Sequence, residues 1–131
     1  MVKKRGRTMM AEILIVDDDS VIRDTLFELL SEKHKCTAAG TAEEALGQLQ
    51  KQVFDVVLTD ISMPGLGGAE LLKRIVQEFP GTPVIMISGL SDEDQAQEMI
   101  SRGAFDYLLK PFRLEVVEAR VAGAIQTRRR I

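Results

Sequence analysis

The sequence predicts a single α/β domain in which a (βα)5 chain winds a parallel sheet between two layers of helices. Five short apolar runs alternate with five amphipathic stretches along 131 residues, a length that suits one hydrophobic core. Three of the runs are β-branched and uninterrupted, as expected for strands covered on both faces. Because crossovers are right-handed and both faces need helices, the doubly wound strand order 2-1-3-4-5 is favoured.

The apolar runs give the bounds of the predicted strands. The second run is the weakest, because it depends on two alanines, and we expect it at an edge of the sheet. The five runs are Ile13–Val16, Cys36–Ala39, Val56–Thr59, Val84–Ile87 and Tyr107–Leu109.

The stretches between the runs carry apolar residues at the three- and four-residue spacing of amphipathic helices. Asp19 suits the cap of the first helix. Thr41 and Glu44 form a capping-box pattern before the second helix, and Ser91 opens the fourth in the same style. The fourth helix has a thin apolar stripe, so we expect it to be among the elements that move most easily.

Composition excludes several classes of protein. A hydrophobic content of 45% with 28% charged residues is typical of globular domains. No apolar run is long enough for a membrane span, and none forms a secretion signal. The single cysteine, Cys36, cannot form an internal disulfide, which fits a reducing compartment. We therefore expect a cytoplasmic protein with no membrane partner.

Positive charge is concentrated at the two ends of the chain. Without the seven terminal basic residues, 10 of the 17 basic residues remain against 20 acidic ones, so the body carries a net charge of −10 and should repel nucleic acid. We expect a basic tail at 1–10, a folded domain at 11–127 and a basic end at 128–131 that starts a linker, with Met9 or Met10 as alternative starts. The seven residues are Lys3, Lys4, Arg5, Arg7, Arg128, Arg129 and Arg130.

Polar residues follow the predicted strands at the edge where doubly wound sheets bind ligands. Asp17 and Asp18 follow the first strand, Asp60 the third, Ser88 the fourth and Lys110 the fifth. Three carboxylates in one crevice would raise one another's pKa and destabilise the fold unless a cation lay between them. Oxygen ligands with open positions suit Mg²⁺, and the ammonium of Lys110 suits a phosphoryl oxygen. The sequence therefore predicts a magnesium site that handles phosphate.

Four stretches carry a resemblance to a known family: "ILIVDDDS", "VVLTDISMPG", "VIMISG" and "GAFDYLLKPF". Together, in this order, they resemble the receiver domain of bacterial two-component response regulators, over nearly all of residues 11–130. The resemblance implies a flavodoxin-like fold, which has the same strand order.

The resemblance also implies roles for the polar residues. Asp60 is similar to the phosphoacceptor, a carboxylate nucleophile that forms an acyl phosphate. Asp18 and Asp60 are similar to direct Mg²⁺ ligands, the backbone carbonyl of Ser62 to a third, and Asp17 to a ligand that acts largely through water. Lys110 is similar to the cation that, with Mg²⁺, stabilises charge on the transferring group.

Further positions match the switching and loop residues of the family. Ser88 resembles the hydroxyl that turns toward the new phosphoryl oxygen, and Tyr107 resembles the aromatic residue that follows it inward. The bond between Lys110 and Pro111 matches one that is usually cis. Leu90 stands where some relatives carry a polar residue that handles the hydrolytic water, so we expect rather slow self-dephosphorylation.

The function implied is a phosphoryl-driven switch rather than an enzyme, since the domain would catalyse only its own phosphorylation and dephosphorylation. The donor would be a sensor histidine kinase or a phosphotransfer protein. Phosphorylation would change the surface of the fourth helix, fifth strand and fifth helix toward an output domain or a downstream protein. Dimerisation on phosphorylation through that surface is common in the family, so the resemblance also implies a second copy of the chain as a partner.

Two other functions fit parts of the sequence. "DDDSV" can be interpreted as the signature of a small haloacid-dehalogenase-type phosphatase, with Asp17 as nucleophile and Asp19 as acid and base. That interpretation leaves Asp60 and "MPG" unexplained. A receiver-like interaction module that does not depend on phosphate is the other alternative, although every group needed for phosphorylation is present.

Overall fold

The structure, a computed structural model, describes residues 10–89 and 93–130. The predicted helix start at Ser91 and the expected role of Leu90 lie outside the described residues, and so does the basic segment 1–9. No helix in the described ranges is long and apolar enough to span a membrane.

The described chain alternates five strands with five helices, and the strands form one parallel sheet of order β2-β1-β3-β4-β5. The predicted doubly wound fold is confirmed, with β2 at an edge. The strands are β1 Glu12–Val16, β2 Lys35–Ala39, β3 Val56–Asp60, β4 Val84–Gly89 and β5 Asp106–Lys110. The helices are α1 Ser20–Ser31, α2 Ala42–Lys51, α3 Gly68–Glu78, α4 Glu93–Ser101 and α5 Leu114–Arg130.

The sheet separates two hydrophobic clusters, because successive side chains of a strand point to opposite faces. In β1, Ile13 and Ile15 pack with apolar residues of α1 and α5, whereas Leu14 and Val16 pack with those of α2, α3 and α4. All four side chains are fully buried. Burial on both faces explains why the central strands are continuous apolar runs rather than alternating ones.

All five strands are longer than their apolar runs, and three of them, β3, β4 and β5, extend at their carboxyl ends into polar residues. The ladder of β3 continues to Asp60, that of β4 to Ser88 and Gly89, and that of β5 to Lys110. These residues are held by backbone pairing as well as by their side chains. The extended ladders therefore fix the position of the functional groups at the carboxyl edge of the sheet.

Two predicted caps are present. The side chain of Asp19 accepts hydrogen bonds from the N–H groups of Val21 and Ile22 at the start of α1. Thr41 caps α2 by accepting a hydrogen bond from the N–H of Glu44. The carboxylate of Glu44 reaches one residue farther than in a capping box and accepts a hydrogen bond from Gly40 N–H at 2.8 Å.

The last helix is bonded to the loops that precede β3 and β4, at the amino ends of the strands. Arg128, predicted to begin the basic C-terminal end, lies within α5. Its Nε donates to Asp55 Oδ1 at 3.2 Å, and its Nη1 donates to the backbone oxygen of Gly81 at 2.9 Å. Arg128 therefore packs on the domain through its side chain.

Candidate functional site

The strand ends bring three carboxylates together where the strand order reverses, beyond β1 and β3. Asp17, Asp18 and Asp60 each offer one oxygen, and these oxygens lie within 4.8 Å of one another. Asp17 and Asp60 are buried, whereas Asp18 is exposed. The cluster therefore has a closed inner side and an open outer side from which a ligand can enter.

Asp17 is held through its backbone and through one of its two carboxylate oxygens. Its N–H donates to the backbone oxygen of Ala39 at 3.1 Å, and its Oδ1 accepts a hydrogen bond from Asp19 N–H at 2.9 Å. Its Oδ2 is buried and has no hydrogen-bond partner among the described residues. The pKa of Asp17 is raised to about 6, mainly because the group is buried; the charge of Asp60 also raises this pKa, and the hydrogen bond from Asp19 offsets part of the increase.

Asp60 lies beside the ammonium group of Lys110. Nζ of Lys110 lies 3.5 Å from Asp60 Oδ2, and the N–H of Ser62 donates to Asp60 Oδ1 at 3.3 Å. Burial raises the pKa of Asp60, and the charge of Lys110 offsets part of that effect. Both contacts engage one oxygen each, so the carboxylate is oriented without being fully neutralised.

Ser88 and Tyr107 occupy different positions relative to the carboxylates. Ser88 follows Ile87, the residue of β4 that pairs with Asp60, and its buried Oγ has no partner in the described part of the chain. Tyr107 is half-buried, and its Oη accepts a hydrogen bond from Gln97 Nε2 at 2.9 Å. The Tyr107 hydroxyl is therefore bonded to α4 rather than to the acidic cluster.

The remaining predicted residues lie in the loops beside the cluster. Ser62 contacts Asp60 through its N–H, and the predicted role of its carbonyl stays a prediction. The peptide bond between Lys110 and Pro111 is cis, as predicted.

Three residues that sequence reasoning missed contact predicted site or switch residues. Arg23 donates to the backbone oxygen of Asp17, and Gln97 bonds to Tyr107. At Gly68, an added Cβ would lie 2.1 Å from the backbone oxygen of Asp60. One signal was available, since an arginine in the first turn of a helix opposes the helix dipole and therefore suggests another role.

The donor set fits a hard divalent cation. Oxygen atoms alone converge here, and the buried Asp17 Oδ2 and Ser88 Oγ both lack partners within residues 10–89 and 93–130. Buried polar atoms without partners are rare in folded proteins unless an ion, water or ligand completes them. Mg²⁺ prefers oxygen ligands, keeps some of its waters and is commonly shared with phosphate.

The doubly wound sheet is therefore an open α/β domain with a candidate ligand site at its switch point, where acidic residues lie beside an ammonium and a hydroxyl. The family model of the response regulator receiver domain matches residues 13–122. The chain belongs to the receiver domain family of two-component response regulators. Receiver domains of this family are signalling modules, and the phosphatase alternative is not favoured.

Known relatives and solved structures support the assignment to this family. The chain is 39% identical to FleR of Pseudomonas aeruginosa over 105 residues, which covers 79% of this chain and 22% of that protein. It is 45% identical to NtrC of Klebsiella pneumoniae over 112 residues, which covers 85% of this chain and 24% of that protein, a DNA-binding transcriptional regulator. The receiver domain of NtrX from Brucella abortus superposes with a TM-score of 0.86 at 36% identity, covering 88% of this chain and 98% of that one. The chain thus spans less than a quarter of FleR and NtrC.

Proposed function

We propose that Asp60 is the phosphoacceptor of a Mg²⁺-dependent signalling switch. The observation that carries the proposal is the arrangement around this carboxylate. One of its oxygens faces Lys110 at 3.5 Å, and the group belongs to the cluster with Asp17 and Asp18. A nucleophile, a cation and an acidic metal site within one crevice are the parts that phosphoryl transfer requires.

In the proposed reaction, a carboxylate oxygen of Asp60 attacks the phosphorus of a phosphohistidine. The oxygen–phosphorus bond forms, the nitrogen–phosphorus bond breaks, and the imidazole leaves with the electron pair. Asp17, Asp18 and Asp60, with the carbonyl of Ser62, would hold Mg²⁺, which neutralises charge on the phosphoryl oxygens when bound. Lys110 would follow the transferring group, because its contact with Asp60 is loose enough to exchange for a phosphoryl oxygen.

The switch would work through Ser88 and Tyr107. The Ser88 hydroxyl has no partner in the described residues, so it is available to a phosphoryl oxygen on Asp60. Movement of Ser88 toward that oxygen would leave space into which Tyr107 could turn, and Tyr107 would then release Gln97. The surface of α4, β5 and α5 would change, and with it the affinity for an output domain, a downstream protein or a second copy.

The cellular setting is proposed from the family. NtrC is named a DNA-binding transcriptional regulator, and this chain matches about a quarter of it. A sensor histidine kinase or phosphotransfer protein would supply the phosphoryl group, and the domain would turn over only itself. The cytoplasm suits the free thiol of Cys36.

The test is phosphorylation by a small-molecule donor, with and without Mg²⁺, read by intact-protein mass spectrometry. Wild type should gain the mass of one phosphoryl group, and chelation of Mg²⁺ should prevent it. Asp60→Asn should gain none, whereas Asp24→Asn, on the exposed side of α1, should behave as wild type. Retained label in Asp60→Asn, with loss in Asp17→Asn, would instead support the phosphatase alternative.

A further inference from the structure

We propose that Arg23 is a positioning residue for the acidic site. Its guanidinium fixes the peptide between Asp17 and Asp18, so that both carboxylates keep the geometry that Mg²⁺ requires. This inference rests on the proposed function, because it concerns the same metal site, and the experiment below separates the two.

The first observation is the contact itself. Nη1 of Arg23 donates to the backbone oxygen of Asp17 at 2.8 Å, and that oxygen belongs to the peptide that joins Asp17 to Asp18. The N–H of Asp17 donates to Ala39 in β2 at 3.1 Å. The backbone of Asp17 is therefore held from β2 on one side and from α1 on the other, just where β1 ends.

The second observation is that helix energetics do not explain an arginine at this position. Arg23 lies in the first turn of α1, where its N–H donates to the backbone oxygen of Asp19 at 3.0 Å. A cation there opposes the positive end of the helix dipole, which is unfavourable. The half-buried side chain instead extends back over the helix start to Asp17. Its favourable contacts are therefore with the site.

The third observation is the space that the guanidinium occupies. A Cβ at Gly40 would lie 3.2 Å from Nη1 of Arg23, which is closer than a carbon normally approaches. Gly40 is itself held, since its N–H donates to Glu44 Oε1 at 2.8 Å. Gly40, which directly follows β2 and is held by Glu44, thus leaves room for the Arg23 side chain because it has no Cβ.

If the peptide between Asp17 and Asp18 were less firmly held, the affinity for Mg²⁺ would fall more than the affinity for Ca²⁺. Mg²⁺ demands near-ideal octahedral geometry at short distances, whereas Ca²⁺ accepts more ligands at longer and more variable distances. Removal of the Arg23 charge would favour both dications to a similar extent, because they carry the same charge. The ratio of the two dissociation constants therefore reports the geometry of the site and is insensitive to the lost charge.

The experiment is calorimetric titration of the full chain with magnesium chloride and with calcium chloride. In Arg23→Met, the preference for Mg²⁺ over Ca²⁺ should fall on the order of tenfold, as for other residues that orient metal ligands. Arg23→Lys, which keeps a donor, should fall between this variant and wild type. Arg128→Met is the matched control, because Arg128 also donates to a backbone oxygen, that of Gly81, at the opposite edge of the sheet. Its ratio should equal that of wild type.

Gly40→Ala disturbs the same contact without a change of charge. It should lower the Mg²⁺ preference in wild type but not in the Arg23→Met background, because the contact is already lost there. An unchanged ratio in Arg23→Met overturns the inference, and if that variant does not fold, an unchanged ratio in Gly40→Ala overturns it. Wild type that binds Mg²⁺ saturably leaves the proposed function standing in either case, whereas wild type that does not bind it contradicts both.

Discussion

The ammonium group of Lys110 lies 3.5 Å from Oδ2 of Asp60, although the two residues are on strands separated by β4. The side chain of Lys110 thus crosses the end of β4 to reach the carboxylate. A distance of 3.5 Å is at the outer limit of a hydrogen bond, and the side chain of Lys110 is 27% exposed. Lys110 therefore stands where it can exchange Asp60 for an oxygen of an incoming phosphoryl group.

Lys110→Met should slow phosphorylation of Asp60 by a small-molecule donor on the order of a hundredfold, because one preorganised charge on the transferring group is lost. Mg²⁺ affinity should not fall, since the removed group is a cation close to the proposed metal site. The rate of mass gain and a Mg²⁺ titration measure the two quantities. Lys73→Met, on the exposed face of α3, is the control and should keep the wild-type rate. Equal rates for the two variants would exclude a part for Lys110 in the transfer.

The buried acids predict that, without Mg²⁺, the protein loses stability as pH rises. The folded pKa of Asp17 is about 6, above its ordinary value of 3.8, and that of Asp60 is also raised by burial. Between these pKa values the native state binds more protons than the unfolded state, so the free energy of unfolding falls as pH increases from about 4 to 6 and then levels off. The contribution of Asp17 is at most about 3 kcal/mol.

Urea unfolding in a chelator across this pH range measures the effect. Asp17→Asn should be more stable than wild type at pH 7 and show a smaller decrease with pH. Mg²⁺ should stabilise wild type more at pH 7 than at pH 5, because protonated carboxyl groups bind it poorly. A decrease of the same size in Asp17→Asn and wild type would mean that Asp17 does not titrate in this range.

Two adjacent glycines should respond oppositely to substitution. A Cβ at Gly68 would lie 2.1 Å from the backbone oxygen of Asp60 and 2.8 Å from Cα of Ile61, so Gly68→Ala must displace backbone at the site. We expect Gly68→Ala to lower the free energy of unfolding by about 3 kcal/mol or more. Gly67 caps α3 in an extended conformation without a side-chain hydrogen bond, and a Cβ there would lie 3.7 Å from its nearest neighbour.

Gly67→Ser should therefore stabilise the protein by about 0.5 kcal/mol, through a cap hydroxyl and a less flexible unfolded chain. Urea unfolding of both variants tests the pair, and Gly68→Ala should also reduce phosphorylation of Asp60. If both substitutions lowered the stability by similar amounts, the close approach of Gly68 to Asp60 would not be the cause.

Most of the fold and the acidic cluster could be predicted from sequence because both follow from strand ends. A buried parallel strand is an apolar run, so the residue at which polarity begins marks the carboxyl edge of the sheet. The positions of Asp17, Asp60 and Lys110 at this edge could be predicted for this reason. The strand bounds were short by one or two residues, since backbone pairing continues through polar residues that periodicity assigns to loops.

The contacts of long side chains could not be predicted from the sequence. Arg23 reaches back across the start of its helix, and Glu44 bonds to Gly40 rather than to the capping residue. Arg128 was grouped with a basic end by composition, yet its contact with Asp55 joins residues 73 positions apart. Such contacts depend on which elements become neighbours in three dimensions, and a one-dimensional pattern does not contain that information.

The hydrogen bond from Gln97 to Tyr107 predicts that α4 sets the resting balance of the switch. A neutral hydrogen bond of this kind contributes about 1 kcal/mol, so its loss in Gln97→Leu should favour inward Tyr107 by up to about fivefold. Affinity for beryllofluoride, a mimic of the phosphoryl group that we propose on Asp60, should rise by that factor, as read by calorimetry. Gln95→Leu, on the exposed surface of the same helix, is the matched control.

The Tyr107 hydroxyl supplies the second half of the same test. Tyr107→Phe removes the acceptor of the bond at 2.9 Å, so it should raise beryllofluoride affinity in wild type as Gln97→Leu does. In the Gln97→Leu background it should change nothing further, because the two substitutions delete one interaction. Additive effects, or equal affinities in Gln97→Leu and Gln95→Leu, would show that this hydrogen bond does not hold Tyr107 outward.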